Sequence, residues 1–293
     1  NPGDGSLTVK EILPGSPSRS LLKPYDRIVR IDGLPLKGLS VQEIDEKLRG
    51  PEDSRVALKI VRDIAVFDVT VTRRRFELQN LRWTRFPGNV GYVRLRRFTK
   101  GLSEEFRERW QEEMQADTEA LVLDLRGNSG GVFDEALKCA ELFVPSGESL
   151  MRMVMHDQKI KNYVSANESP IELPLVVLLD GRSASGSEIL AAALRESADA
   201  WIVGAPSFGK ASMERIFELE NGYRVKFTNA ALYSPKGRTW HEQGIVPDFP
   251  VRQNEEIIGR TADLDAGTRL AKDAQLLAAY RLLVRDAEAA DAP

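Results

Sequence analysis

Two regimes of apolar and polar positions follow one another along this chain. Between residues 6 and 72 the apolar stretches are short and alternate with polar ones. Leu7-Thr8-Val9, Ile28-Val29-Arg30-Ile31, Val56-Ala57-Leu58-Lys59-Ile60 and Phe67-Asp68-Val69-Thr70-Val71 read as strands. Turn chemistry separates them at Pro14-Gly15-Ser16-Pro17 and at Asp32-Gly33. Ser40 can cap a helix that carries Val41, Ile44 and Leu48 on one face and ends near Gly50. This pattern predicts a small β-rich domain over 1–72.

Residues 73–88, with Arg73-Arg74-Arg75 and Arg82-Trp83-Thr84-Arg85, read as a solvated bridge. From residue 89 the pattern changes. Val90-Gly91-Tyr92-Val93-Arg94-Leu95 is a strand, and Ser103 opens a helix with Phe106, Trp110 and Met114 at four-residue steps. Leu121 to Leu125 is apolar except for Asp124, and Leu173 to Leu179 except for Pro174, as in strands covered on both faces. Each is followed by a helical pattern: Ala136, Leu137, Ala140 and Phe143 after the first, and Ile189, Leu190, Ala193 and Leu194 after the second. Strands alternating with helices predict an α/β core, a mixed sheet with covering helices, over 89–286. The stretch Met151 to Pro170 is polar and fits neither period. Trp201-Ile202-Val203, Tyr223 to Thr228 and Ala231-Leu232-Tyr233 supply further strand signals. Leu276, Leu277, Tyr280, Leu283 and Val284 mark an amphipathic helix, and 287–293 reads as a frayed Ala/Asp tail.

Composition adds exclusions. The 293 residues exceed one ordinary domain, and 42% hydrophobic content with a formal charge of −3 argues against disorder and against a nucleic-acid surface. No apolar run approaches the ~20 residues of a membrane span. Cys139, the single cysteine, permits no internal disulfide and reads as a core residue on a helix. His156 and His241 are the only histidines, and no His/Cys cluster has metal-ligand spacing. The chain opens with Asn1 and shows no signal peptide, as expected of a processed or trimmed fragment whose compartment its ends do not reveal.

Candidate chemistry gathers at two turns. Gly181-Arg182-Ser183-Ala184-Ser185-Gly186-Ser187-Glu188 places serines between a strand and a helix, where free backbone N–H groups accompany them. Such a turn suits a nucleophile with an oxyanion hole, although a serine-rich helix cap gives the same pattern. Downstream, Gly204-Ala205-Pro206-Ser207-Phe208-Gly209-Lys210 offers a lysine that a dry site would turn into a general base. Arg126-Gly127-Asn128-Ser129-Gly130-Gly131 is a third strand-to-helix turn. It lacks the Gly-Lys-Ser/Thr of a phosphate loop.

Taken together, Ser183-Ala184-Ser185-Gly186-Ser187-Glu188, Gly209-Lys210, Asp124-Leu125-Arg126-Gly127-Asn128-Ser129-Gly130-Gly131 and Gly244-Ile245-Val246-Pro247-Asp248 resemble the C-terminal processing peptidases, or tail-specific proteases, of serine peptidase family S41. Pro14-Gly15-Ser16-Pro17, Leu22 to Ile28 and Ile31-Asp32-Gly33 resemble a PDZ domain, with Tyr25 where glycine is common. No Gly-Leu-Gly-Phe-type carboxylate-binding loop occurs in residues 1–6; its strand is expected upstream. The resemblance covers residues 7 to about 285. It implies Ser185 as nucleophile, Lys210 as base, and an oxyanion hole from the N–H groups of Gly186 and of Gly130 or Gly131, with Gly130 favoured. It implies protein or peptide substrates cut in or near their C-terminal regions, no metal or cofactor, no nucleic acid, and a bacterial periplasm or envelope location. A homo-oligomer stays open. Alternatives are a proteolytically silent PDZ scaffold, a hydrolase of small esters or amides, and a Ser/His arrangement using His241. Relatives commonly carry Gln four residues after the lysine, where this chain has Glu214. A carboxylate there would either favour protonated Lys210, become protonated on burial, or point to solvent.

Overall fold

The computed structural model describes residues 5–13, 15–76, 78–219, 223–261 and 264–290. Pro14 of the first expected turn lies outside them. The chain divides into two compact units, residues 1–79 with 254–265, and residues 80–253 with 266–293.

In the first unit the sheet order is Leu7–Thr8, Arg27–Ile31, Arg55–Arg62 and Ala65–Thr72, with Leu34–Pro35 also pairing to Arg27–Ile31, all antiparallel. Alternation does the sorting: Val56, Leu58 and Ile60 point inward with Ile31, Leu36 and Ile44, while Arg55 and Ala57 face water. Ser40 caps the helix Val41–Leu48 as expected, and Glu43 returns a bond to the Ser40 N–H at 2.7 Å. Buried Asp26 is held by Arg62 at 2.6 Å. The helix Glu255–Thr261 also belongs here, and a Cβ on Gly259 would lie 2.9 Å from the Lys10 carbonyl oxygen.

The second unit is built on a six-stranded sheet in the order Phe249–Pro250, Trp201–Gly204, Leu175–Leu179, Ala120–Asp124, Val90–Leu95, Leu81–Phe86. All neighbours are parallel except the last pair. The central strands are buried throughout because both faces are covered. On one face lie the helices Leu102–Arg109, Phe133–Glu141 and Gly186–Ser197, and on the other Leu276, Ala279 and Leu283 of the C-terminal helix. The Leu102 helix ends in a π-helical turn, Trp110–Met114, which keeps Phe106, Trp110 and Met114 inward although their four-residue step exceeds the α-helical 3.6. Burial pushes the Cys139 thiol up, as suits an inert core cysteine.

Three parts differ from the expectations. Residues 81–86, assigned to the bridge, form the antiparallel edge strand; Leu81 and Phe86 are buried while Trp83 is only partly covered. The polar stretch from Met151 enters a second sheet, antiparallel in the order Ile160–Val164, Ser149–Met155, Arg224–Tyr233, Ser212–Glu218. The C-terminal helix continues through Ala290 instead of fraying at 287, as its alanines favour; 291–293 lie outside the described residues.

A buried charge cluster anchors that last helix to the sheet. Arg126 bonds Asp124 at 2.7 Å and Asp273 at 2.8 Å, and also Gln275 at 3.0 Å. Burial opposes ionisation of Asp124, but the Arg126 charge and hydrogen bonds outweigh it and hold the carboxyl well below its usual range.

Candidate active site

Ser185 stands immediately before the helix Gly186–Ser197, at φ 56° and ψ −111°, a conformation rare for a residue with a side chain. The surroundings over-determine this strain. Ser183 Oγ donates to the Leu125 carbonyl at 2.9 Å, and Ser187 Oγ to the Asn128 carbonyl at 2.8 Å, both fully buried. Those two serines therefore stitch the turn to the neighbouring strand end, and half-buried Ser185 is the one turned towards the site.

The Gly130-Gly131 pair lies against this turn. A Cβ on Gly130 would sit 2.9 Å from Ser185 Cβ and from the Gly186 nitrogen, and one on Gly131 would strike the Phe98 carbonyl oxygen at 2.1 Å. Their N–H groups differ. Gly130 donates to Asn128 Oδ1 at 2.9 Å. Those of Gly131 and Gly186 have no protein acceptor among the described residues. Of the backbone N–H groups expected to form an oxyanion hole, that of Gly130 is engaged by Asn128, whereas those of Gly131 and Gly186 are open.

Glu188 joins the serine turn to the lysine loop. This fully buried carboxylate accepts from the Ser185 N–H at 2.7 Å and the Lys210 N–H at 2.9 Å through one oxygen. Its other oxygen accepts from the Gly209 N–H and Ser207 Oγ, both at 2.6 Å. Ser207 Oγ in turn accepts from the Ile245 N–H at 2.7 Å, which fixes the Gly244 loop behind the lysine. The sequence reading passed over Glu188. Its signal was the Ser185-x-x-Glu188 spacing, that of a capping box. Glu188→Gln leaves two of these donors facing an amide nitrogen. It is expected to destabilise the fold by about 1–3 kcal/mol and to lower turnover by about 100-fold through misplacement. Denaturant titration and peptide-cleavage kinetics check the two parts.

Lys210 is not hydrogen-bonded to Ser185 among the described residues; its Nζ donates to Glu214 Oε2 at 3.0 Å. Glu214 also receives Lys226 Nζ at 2.6 Å. The bonds from Lys226 and then Lys210 hold its carboxyl below the usual carboxylate range. Glu214 thus faces Lys210 and Lys226 rather than solvent alone. His241 is exposed and makes no hydrogen bond to Ser185, and His156 is exposed on the second sheet's margin. No group of three or more His, Cys, Asp or Glu side chains suited to a metal occurs among the described residues. Among them, too, no helix is long and apolar enough to cross a membrane.

A strained serine between strand and helix, flanked by N–H groups without a protein acceptor and tied to a lysine loop, is an arrangement in which a hydroxyl can serve as a nucleophile. The family model of peptidase family S41 matches residues 89–251 and a PDZ-domain model matches residues 8–62. The chain belongs to peptidase family S41 and carries a PDZ domain. It is 33% identical over 261 residues to the carboxyl-terminal-processing protease of Synechocystis sp., covering 86% of this chain and 61% of that protein. With the carboxy-terminal processing protease CtpA of Bacillus subtilis it shares 28% identity, over 83% of this chain and 53% of that one. The chain thus spans between half and two thirds of these relatives' lengths. The solved photosystem II D1 C-terminal processing protease superposes with a TM-score of 0.63 at 27% identity, covering 93% of this chain and 74% of that chain.

Proposed function

We propose that this chain is a serine endopeptidase that cuts protein substrates in or near their C-terminal regions, with Ser185 as nucleophile and Lys210 as base. The observation that carries the reading is Glu188, whose single oxygen holds the backbone N–H of both residues. In the reaction, Lys210 leaves Glu214, which it contacts at 3.0 Å, and turns to Ser185. Neutral Lys210 takes the Ser185 proton as Oγ bonds to the scissile carbonyl carbon. The N–H groups of Gly131 and Gly186 stabilise the oxyanion. Lys210 passes its proton to the departing amine, and the C–N bond breaks to leave an acyl-enzyme. Water, deprotonated by Lys210, releases the new C-terminus and restores Ser185.

The names of the relatives support the substrate class. The same reading places the protein's work in a bacterial envelope, which fractionation of the native protein checks. The Lys210–Glu214 contact favours a second reading, a silent PDZ scaffold with its base drawn aside. A fluorophosphonate probe separates the two. Labelling that maps to Ser185, together with casein cleavage lost in Lys210→Met, is the expected result. A chain that neither labels nor cleaves is a scaffold.

A further inference from the structure

Glu214 lies in the strand Ser212–Glu218, and Lys226 in the strand Arg224–Tyr233. Their register pairs Glu214 with Thr228 and Ile216 with Lys226. Side chains alternate along each strand, so Lys226 is the diagonal neighbour of Glu214 on the same face. One oxygen, Glu214 Oε2, receives both ammonium groups, Lys226 at 2.6 Å and Lys210 at 3.0 Å. A carboxylate beside Lys210 alone would favour its ammonium form and oppose its work as a base. A second ammonium on the same oxygen offsets that charge.

We propose that Lys226 is a positioning residue that acts through Glu214, holding the carboxylate so that the Lys210 amine is free to take the Ser185 proton. The proposal rests on the Ser/Lys reading above. Where a neutral amide would serve without adding charge, this chain has a carboxylate already paired with a cation. The hydrogen bonds from Lys226 and Lys210 together hold the Glu214 carboxyl below its usual range. The other charged groups on the elements packed here are Glu188, beneath the Lys210 backbone; Glu242, whose backbone lies against Gly209; Arg215, stacked over the Phe217 ring; Glu218 and Arg224, paired with each other at 2.7 Å at the far end of the two strands; and Arg152 and His156, on and just past the neighbouring strand. Among the described residues none of these bonds the Lys210, Glu214 or Lys226 side chain.

Three variants test it: Lys226→Gln, Glu214→Gln and the double variant. Two readouts are used, the acidic limb of the peptide-cleavage profile and the Lys210 titration followed by NMR of 13Cε-labelled lysine, assigned with Lys210→Arg. Lys226→Gln leaves Glu214 facing Lys210 alone, so both curves are expected to move to higher pH by about half a unit. Glu214→Gln should move both to lower pH. In the Glu214→Gln background, Lys226→Gln should have less than half its effect in the parent. A Lys226→Gln curve superimposable on the parent's overturns the proposal. So does an undiminished shift in the double variant, which would mean direct repulsion between the lysines. Failure of the Ser/Lys reading looks different: Lys210→Met would keep full proteolysis, while the NMR titration still reports what Lys226 does.

Discussion

Ser185→Ala should abolish casein cleavage, by at least about 10⁴-fold, and shift the thermal midpoint by no more than about 2 °C. The reasoning is local. Alanine keeps the Cβ, so it meets the same φ of 56° and adds no new strain to the turn. The bonds that hold the turn, from its own N–H to Glu188 and from Ser183 and Ser187 to the next strand, are untouched. What disappears is the single atom that, in the proposed mechanism, attacks the substrate. Ser183→Ala and Ser187→Ala make the contrast. Each removes buried structural hydrogen bonding, which costs about 1–3 kcal/mol, while the proposed nucleophile remains. Cleavage surviving in Ser185→Ala but lost in stably folded Ser183→Ala would show that the nucleophile is misassigned.

Arg126→Met is expected to be the most damaging substitution for stability, losing about 3–5 kcal/mol. Arg126 is 1% exposed, and its departure strands Asp124 and Asp273 in a dry interior. An exposed pair such as Arg49–Asp45, whose side chains are 77% and 54% exposed, should change stability by less than about 1 kcal/mol when broken. The sign of the pH dependence distinguishes this cause from simple loss of packing. In the parent, Asp124 has a depressed folded-state pKa. Its contribution is therefore present above the unfolded carboxylate range and is lost only as pH falls through the lower folded value. Without Arg126 only the Arg94 charge and the Tyr92 hydroxyl, at 2.7 Å, oppose burial, so the Asp124 pKa is expected to rise and the folded variant to take up a proton more readily than the parent. The deficit relative to the parent should shrink as pH drops from 7 towards 5, measured by denaturant melts at each pH. A deficit constant over that range would point to packing alone.

Much of the fold could be read from single stretches because burial was two-sided there. Leu121 to Leu125 and Leu175 to Leu179 are apolar because both sheet faces are covered. The unread parts lack such a signature. Leu81–Phe86 is an edge strand whose Arg82 and Arg85 sit among apolar residues and imitate a linker. Ile160–Val164 is mostly exposed, so its polar composition carries no period. The helix Glu255–Thr261 joins the first unit through Gly259 and Lys10, a pairing no local window contains. At the site, motif spacing offered Ser185, Lys210 and the glycine pair as candidates. It could not tell which glycine N–H was already taken, because that depends on where the Asn128 amide turns. Glu214 was legible as a contact of Lys210, whereas Lys226 was not, since cross-strand register brings it there.

The shared oxygen of Glu188 also bears on how the site opens and closes. Lifting the lysine loop breaks the Lys210 and Gly209 bonds and leaves the same carboxylate half-occupied in a dry pocket, which favours release of the Ser185 amide as well. The Ser185 and Lys210 backbones are thereby coupled through one acceptor. An opening of the lysine loop is therefore expected to loosen the Ser185 turn with it, because one buried carboxylate serves both.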